Sequence, residues 1–155
     1  MNIETRELQP QTILSIRENC EPNTKSIGDA LGKIYDEIDE VIKENNLTIA
    51  APCLTIFHSY TEKDVEIEGG TPVNKDKEIK LSGRVKLNEL PGGKTLVASY
   101  YGPYEGLGDA YKTFFDYIRD NNLQPQSAPW ETYVISQLTE PDSSKWLTEI
   151  HISIK

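Results

Sequence analysis

Apolar residues at Ile27, Leu31, Ile34, Ile38 and Val41 recur at steps of four and three, and Asp29, Lys33, Asp36, Glu37, Glu40, Lys43 and Glu44 occupy the rest of that stretch. This is one stripe of a 3.6-residue period, which predicts a helix with a single buried face. Leu107, Tyr111, Phe114 and Ile118 draw the same stripe later in the chain, so Tyr111 reads as core packing. An Asn-Asn pair followed by a stretch containing Pro ends each helix. Elsewhere the period drops to two. Strands are predicted for Thr12 to Arg17, Leu54 to Tyr60, Val65 to Glu68, Thr95 to Tyr101, Trp130 to Thr139 and Trp146 to Ile154. In the last of these, Trp146, Thr148, Ile150, Ile152 and Ile154 share one face. Ile79, Leu81, Val85 and Leu87 alternate with Lys80, Ser82, Arg84 and Lys86, predicting one more half-buried strand.

The pattern repeats. Gly28-Asp29-Ala30-Leu31 returns as Gly108-Asp109-Ala110-Tyr111, and Asp36 and Ile38 return as Asp116 and Ile118, all 80 residues on. Asn45-Asn46-Leu47 returns as Asn121-Asn122-Leu123 and Ala51-Pro52 as Ala128-Pro129. Upstream, Glu7-Leu8 and Thr12-Ile13-Leu14 match Glu89-Leu90 and Thr95-Leu96-Val97. Colinear matches of this kind indicate an internal duplication. The expected architecture is α+β: two tandem β-α-β-β modules, about 3–75 and 78–154, in one domain spanning 1–155. Their strands form a largely antiparallel sheet with two helices on one face.

Composition narrows the function more than it selects one. Twenty-five acidic against 16 basic side chains give a net charge of −9. That argues against a phosphate-backbone contact, since nucleic-acid affinity is largely neutralisation by Lys and Arg. The two modules leave no segment for a helix-turn-helix. No apolar run is long enough to cross a membrane, and no charged-then-apolar leader opens the chain. The expected location is therefore cytoplasmic, with Cys20 and Cys53 as reduced thiols. The acidic surface supports solubility and suits a cationic partner.

Candidate chemistry is sparse. His58 and His151 are the only histidines and have no ligand spacing around them, so no metal and no cofactor is expected. No Gly-x-Ser-x-Gly supports a serine nucleophile. The loop Gly102-Pro103-Tyr104-Glu105-Gly106-Leu107-Gly108 lacks the spacing of a phosphate-binding turn and reads as turn geometry. Glu131 is the informative position. Matching Ala51-Pro52 to Ala128-Pro129 pairs Leu54 with Glu131 and Ile56 with Tyr133, so an apolar strand in one module gains a carboxylate in the other. Glu131 and Tyr133 would share a face and Trp130 the opposite one. Buried, such a carboxylate would carry a raised pKa and welcome a cation between aromatic walls. A flip of the strand would leave it in water. Tyr101, Tyr104 and Tyr133 are candidates to line a cleft.

Five ordered pieces resemble the GyrI-like small-molecule-binding domains, which also serve as effector-binding domains of multidrug-sensing transcription activators. They are residues 51–58, residues 65–73, Leu90-Pro91-Gly92-Gly93-Lys94 leading into Tyr101 to Leu107, Ala128-Pro129-Trp130-Glu131-Thr132-Tyr133, and Thr148 to Ile152. The resemblance implies a ligand cleft between two tandem modules, with Glu131 as the acidic residue that attracts lipophilic, cationic aromatic compounds. It also implies Tyr104, Trp146, Tyr133 and Phe57 as aromatic walls, with Tyr101 and Trp130 nearby. The terminal strand departs from the family where an aromatic and a proline are common near His151 and Ser153. Stand-alone relatives include non-catalytic binders, protein partners such as inhibitors of DNA gyrase, and hydrolases that open cyclopropane rings of DNA-alkylating natural products. In a hydrolase the catalytic pair would be Glu131 with Tyr104 or Tyr133. A binder needs only the Glu and its aromatics, and is the expected function.

Overall fold

The computed structural model describes residues 1–155. The chain runs β1 (Asn2–Leu8), β2 (Gln11–Cys20), α1 (Thr24–Glu44), β3 (Leu54–Tyr60), β4 (Val65–Pro72), β5 (Lys86–Leu90), β6 (Gly93–Tyr101), α2 (Leu107–Asp120), β7 (Trp130–Ile135) and β8 (Leu147–Ser153). Short 3-10 turns at Tyr104–Gly106 and Ser143–Lys145 precede α2 and β8. Two helices on antiparallel strands make the fold α+β. No helix is long and apolar enough to cross a membrane.

The chain forms two compact units, Gln9–Pro91 and Met1–Leu8 with Gly92–Lys155. In the first, the strands pair antiparallel in the order β3-β4-β2-β5. Leu31, Ile34, Ile38 and Val41 of α1 pack on Leu14, Ile16, Val65 and Ile67 of that sheet. In the second, the order is β1-β6-β8-β7, and Ala110, Phe114 and Ile118 of α2 pack on Leu96, Ala98, Ile150 and Ile152. Each helix thus buries the stripe read from its sequence.

The helix ends repeat in detail. Asn46 and Asn122 both take φ 53°, the left-handed conformation Asn tolerates at the end of a helix. In both, the residue beyond donates back to a carbonyl of the last turn: Leu47 N to Ile42 O and Leu123 N to Ile118 O, each 3.0 Å. Asn45 and Asn121 return their side-chain amides to Val41 O and Tyr117 O. At the N-terminus of α1, Asn23 accepts from Ser26 N at 2.8 Å.

Two features differ from the sequence reading. The leading strands pair away from the helix that follows each in sequence: β1 pairs with β6 in the unit of α2, and β5 with β2 in the unit of α1. And residues 79–85 form no strand. Asn45 accepts from Lys80 N and donates to Lys80 O, and Gly83 turns the chain at φ 61°. Those hydrogen bonds satisfy the backbone a neighbouring strand would otherwise serve, and Ile79 and Val85 still reach the α1 core.

Candidate functional site

Strand pairing, rather than sequence matching, fixes which residues of the two units correspond. Trp130 lies opposite His151, Glu131 opposite Ile150 and Tyr133 opposite Thr148, with a register shift between Tyr133 and Ile135. In the other unit Leu54 lies opposite Gly70, Thr55 opposite Gly69 and Phe57 opposite Ile67, with the shift between Phe57 and Ser59. The counterpart of Glu131 is therefore Thr55, not Leu54, and that of Tyr133 is Phe57. The Ala-Pro match is displaced by one residue because it falls in the link before each strand.

Residues opposite each other in a ladder share a face. Glu131, Tyr133, Thr148 and Ile150 thus stand on the face that α2 covers. Glu131 is 3% exposed, so the buried alternative holds over the solvated one. Its Oε2 accepts from the Tyr133 hydroxyl at a long 3.5 Å, and no basic side chain lies within ion-pair distance. Burial pushes its pKa up from 4.5 to about 8, against the weak opposing pull of that hydrogen bond.

The other unit holds a contrasting buried carboxylate. Glu68 of β4 accepts from Ser15 Oγ at 2.6 Å and Asn88 Nδ2 at 2.9 Å on one oxygen, and contacts His58 Nε2 at 2.7 Å on the other. Burial pushes its pKa up, but these partners together outweigh burial and hold it below the usual carboxylate range. Burial decides the charge of Glu131; hydrogen bonds decide that of Glu68.

A chain of aromatic rings runs on from Tyr133, the ring that reaches Glu131. Tyr104 meets Tyr133 edge to face at 5.9 Å and 76°, and Trp146 at 5.1 Å and 32°. Local geometry sets each ring. Trp146 donates from Nε1 to Glu140 O at 2.7 Å, and its own carbonyl accepts from Gly102 N at 2.9 Å. Tyr104 opens the 3-10 turn, held by the Tyr100 hydroxyl donating to Pro103 O at 2.7 Å. A side chain at Gly106 would collide with that hydroxyl, and Gly102 turns at φ 142° beside it.

Of the residues expected from the sequence, Glu131, Tyr133, Tyr104 and Trp146 come together in this unit. Trp130 lies on the opposite sheet face, stacked on His151 at 5.1 Å and 4°. Burial lowers the His151 pKa to about 4, keeping the ring neutral near pH 7. Tyr101 is 63% exposed at the end of β6. Phe57 is on β3 of the other unit, packed against the α1 core.

Two further residues belong to the Glu131 face. The hydroxyl of Tyr111 is buried, and burial followed by the negative charge of Glu131 pushes its pKa well above that of an ordinary phenol. Its counterpart Tyr35 donates to Leu54 O at 2.7 Å and meets Thr55 Oγ1 at 3.1 Å, so both units set a helix Tyr against the same sheet position. The signal lay in the sequence: measured from the helix ends, Tyr35 and Tyr111 stand the same distance before Asn45 and Asn121. Thr148 is the second, fully buried with an unpartnered hydroxyl.

The model of the GyrI-like small molecule binding domain matches residues 1–155. Among solved structures, the C-terminal domain of EcmrR is 26% identical with a TM-score of 0.87, covering 99% of this chain and 97% of that one. EcmrR in its complex with DNA matches at 24% identity and TM-score 0.88, over 99% of this chain but only 57% of that chain. SAV2435 bound to tetraphenylphosphonium matches at 17% and 0.65, covering 100% and 94%, and a hydrolase from Listeria innocua at 12% and 0.65, covering 99% and 91%. The last two share the fold alone. No curated protein matches.

Proposed function

Because the chain belongs to the GyrI-like small-molecule-binding domain family, we propose that it captures lipophilic, cationic aromatic compounds, with Glu131 selecting positive charge and Tyr104, Tyr133 and Trp146 as aromatic wall. One observation carries the reading: a buried carboxyl without a basic partner, beside a cluster of rings. A ligand cation would supply the missing countercharge, and ring faces add about 0.5–2 kcal/mol of cation–π attraction. The SAV2435 complex supports it at the level of a shared fold, since that protein holds a lipophilic cation.

The test compares tetraphenylphosphonium with a neutral triphenylphosphine oxide by equilibrium binding to wild type and Glu131→Gln. Wild type is expected to prefer the cation, and Glu131→Gln to lose that preference. Unchanged charge selectivity in the variant would refute the reading.

A specific observation also favours a second reading, as a hydrolase that opens cyclopropane rings of DNA-alkylating compounds. A carboxyl whose pKa stands at about 8, hydrogen-bonded to the phenol of Tyr133, suits proton transfer near neutral pH. Tyr133 rather than Tyr104 would then assist Glu131. Water-adduct formation over several turnovers, abolished in Glu131→Gln, would establish this activity; product limited to one equivalent would exclude it. Either reading goes with a cytoplasmic protein whose Cys20 and Cys53 are free thiols, and with descent of the two repeats from one duplicated module.

A further inference from the structure

Thr148 sits in the middle of the sheet face that carries Glu131. It lies opposite Tyr133 on β7 and opposite Tyr100 on β6, so a phenol-bearing side chain flanks it on each side. Glu131, opposite Ile150, is its diagonal neighbour across the β7–β8 ladder. Thr148 is 0% exposed, and its Oγ1 has no hydrogen-bond partner. A buried hydroxyl that has lost water and gained nothing is destabilising, whereas Val has the same shape, favours strands and carries no such cost. Most buried polar groups are satisfied, so an orphan beside a second under-satisfied group marks a place where something else binds. Glu131, with its single long hydrogen bond, is that second group.

We propose that Thr148 is the second polar contact of the Glu131 site: its Oγ1 hydrogen-bonds a heteroatom that the ligand carries near its positive charge. The preferred ligand is then a cationic aromatic bearing a hydroxyl, amide or ether, ahead of a cation built from hydrocarbon alone. This deepens the function proposed above and rests on that reading. The spacing suits it, because diagonal residues on neighbouring strands stand about 7–8 Å apart, within the span of one aromatic ligand. Tyr133 lies between the two contacts and would bring its ring against the ligand body. Charge is selected at Glu131 and the polar substituent at Thr148.

Two ions that differ by one hydroxyl separate these roles: tetraphenylphosphonium and (4-hydroxyphenyl)triphenylphosphonium. Binding of each is measured by calorimetry on wild type, Thr148→Val, Thr148→Ser and Glu131→Gln. Wild type is expected to favour the hydroxylated ion by about fivefold, the worth of one neutral hydrogen bond. Thr148→Val should erase that preference while leaving tetraphenylphosphonium unchanged, and Thr148→Ser should restore it. The urea midpoint of Thr148→Val should equal or exceed that of wild type, since an orphan hydroxyl is removed. The proposal is overturned if wild type shows no preference, if Thr148→Val weakens both ions equally, or if its urea midpoint falls well below wild type. Glu131→Gln reports separately: equal weakening of both ions supports the charge reading. An unaffected pair refutes that reading, while the Val and Ser variants still decide the role of Thr148.

Discussion

Glu131→Gln should change stability in a way that depends steeply on pH. In the unfolded chain this carboxyl ionises at its ordinary 4.5, and in the fold burial holds it to about 8. The folded state therefore binds the proton more tightly, and the contribution of Glu131 to stability is fully present below 4.5 and lost as pH rises through 8. At 1.36 kcal/mol for each tenfold difference in proton affinity, the loss reaches roughly 5 kcal/mol above pH 8 and is already about 3 kcal/mol at pH 7. Glutamine keeps the shape of the protonated acid and cannot ionise. The variant should thus match wild type at pH 4.5 and exceed it by several kcal/mol at pH 9. Urea denaturation of both proteins at pH 4.5, 7 and 9 gives the difference directly, with every other titrating group common to both. A wild-type-minus-variant difference that stays flat across this range would refute the reasoning, because it would mean that the carboxylate ionises without penalty and is not buried as described.

Glu68→Gln should behave in the opposite sense. Its carboxyl is held below the usual range, so its contribution is present above that range and fades as pH falls through the folded value. At pH 7 the variant should lose about 2 kcal/mol in urea denaturation, the worth of hydrogen bonds to a charged acceptor, and the deficit should shrink in acid. Gly106→Ala drives a methyl into the Tyr100 hydroxyl. It should cost about 1–3 kcal/mol by thermal melting and weaken ligand binding through the displaced Tyr104 turn. Asn122→Ala, at φ 53°, should lose about 1 kcal/mol of stability, while Asn122→Gly at the same place should lose little.

Both helices were legible because their stripes are local and their apolar positions have one use. Six of the strands were legible for the same reason, since alternation survives wherever one face is buried. The pairing of strands was not. Nothing within residues 2–8 says that they join β6 rather than β2, because the backbone hydrogen bonds that decide it are the same for either neighbour. The one-residue displacement in matching Leu54 to Glu131 has a related origin: Ala-Pro recurs in links whose register nothing constrains, whereas the ladder and the paired bulges fix the strands. Residues 79–85 alternate as a strand does, yet Asn45, thirty-five residues earlier in sequence, takes up the backbone groups at Lys80.

At the site, Glu131 stood out through a match to Leu54 that was one residue out of register; its true counterpart, Thr55, is polar. The burial of Glu131 did not stand out, since that depends on α2 and on the neighbouring strands. Tyr111 was masked by lying on the same stripe as Phe114, although its hydroxyl points to different chemistry from a phenylalanine. Thr148 was invisible for a simpler reason. A threonine in a strand is ordinary, and only the missing hydrogen-bond partner makes it otherwise.

The central claim is that a cation is bound by the carboxylate of Glu131, which is mostly protonated beforehand. Titrating tetraphenylphosphonium into the protein at pH 7, in two buffers of different ionisation enthalpy, counts the protons released on binding. A carboxyl held at about 8 is mostly protonated at pH 7, so more than half a proton should leave for each cation bound, and none in Glu131→Gln. Binding with no proton release in wild type, or with the same release in the variant, would contradict the account.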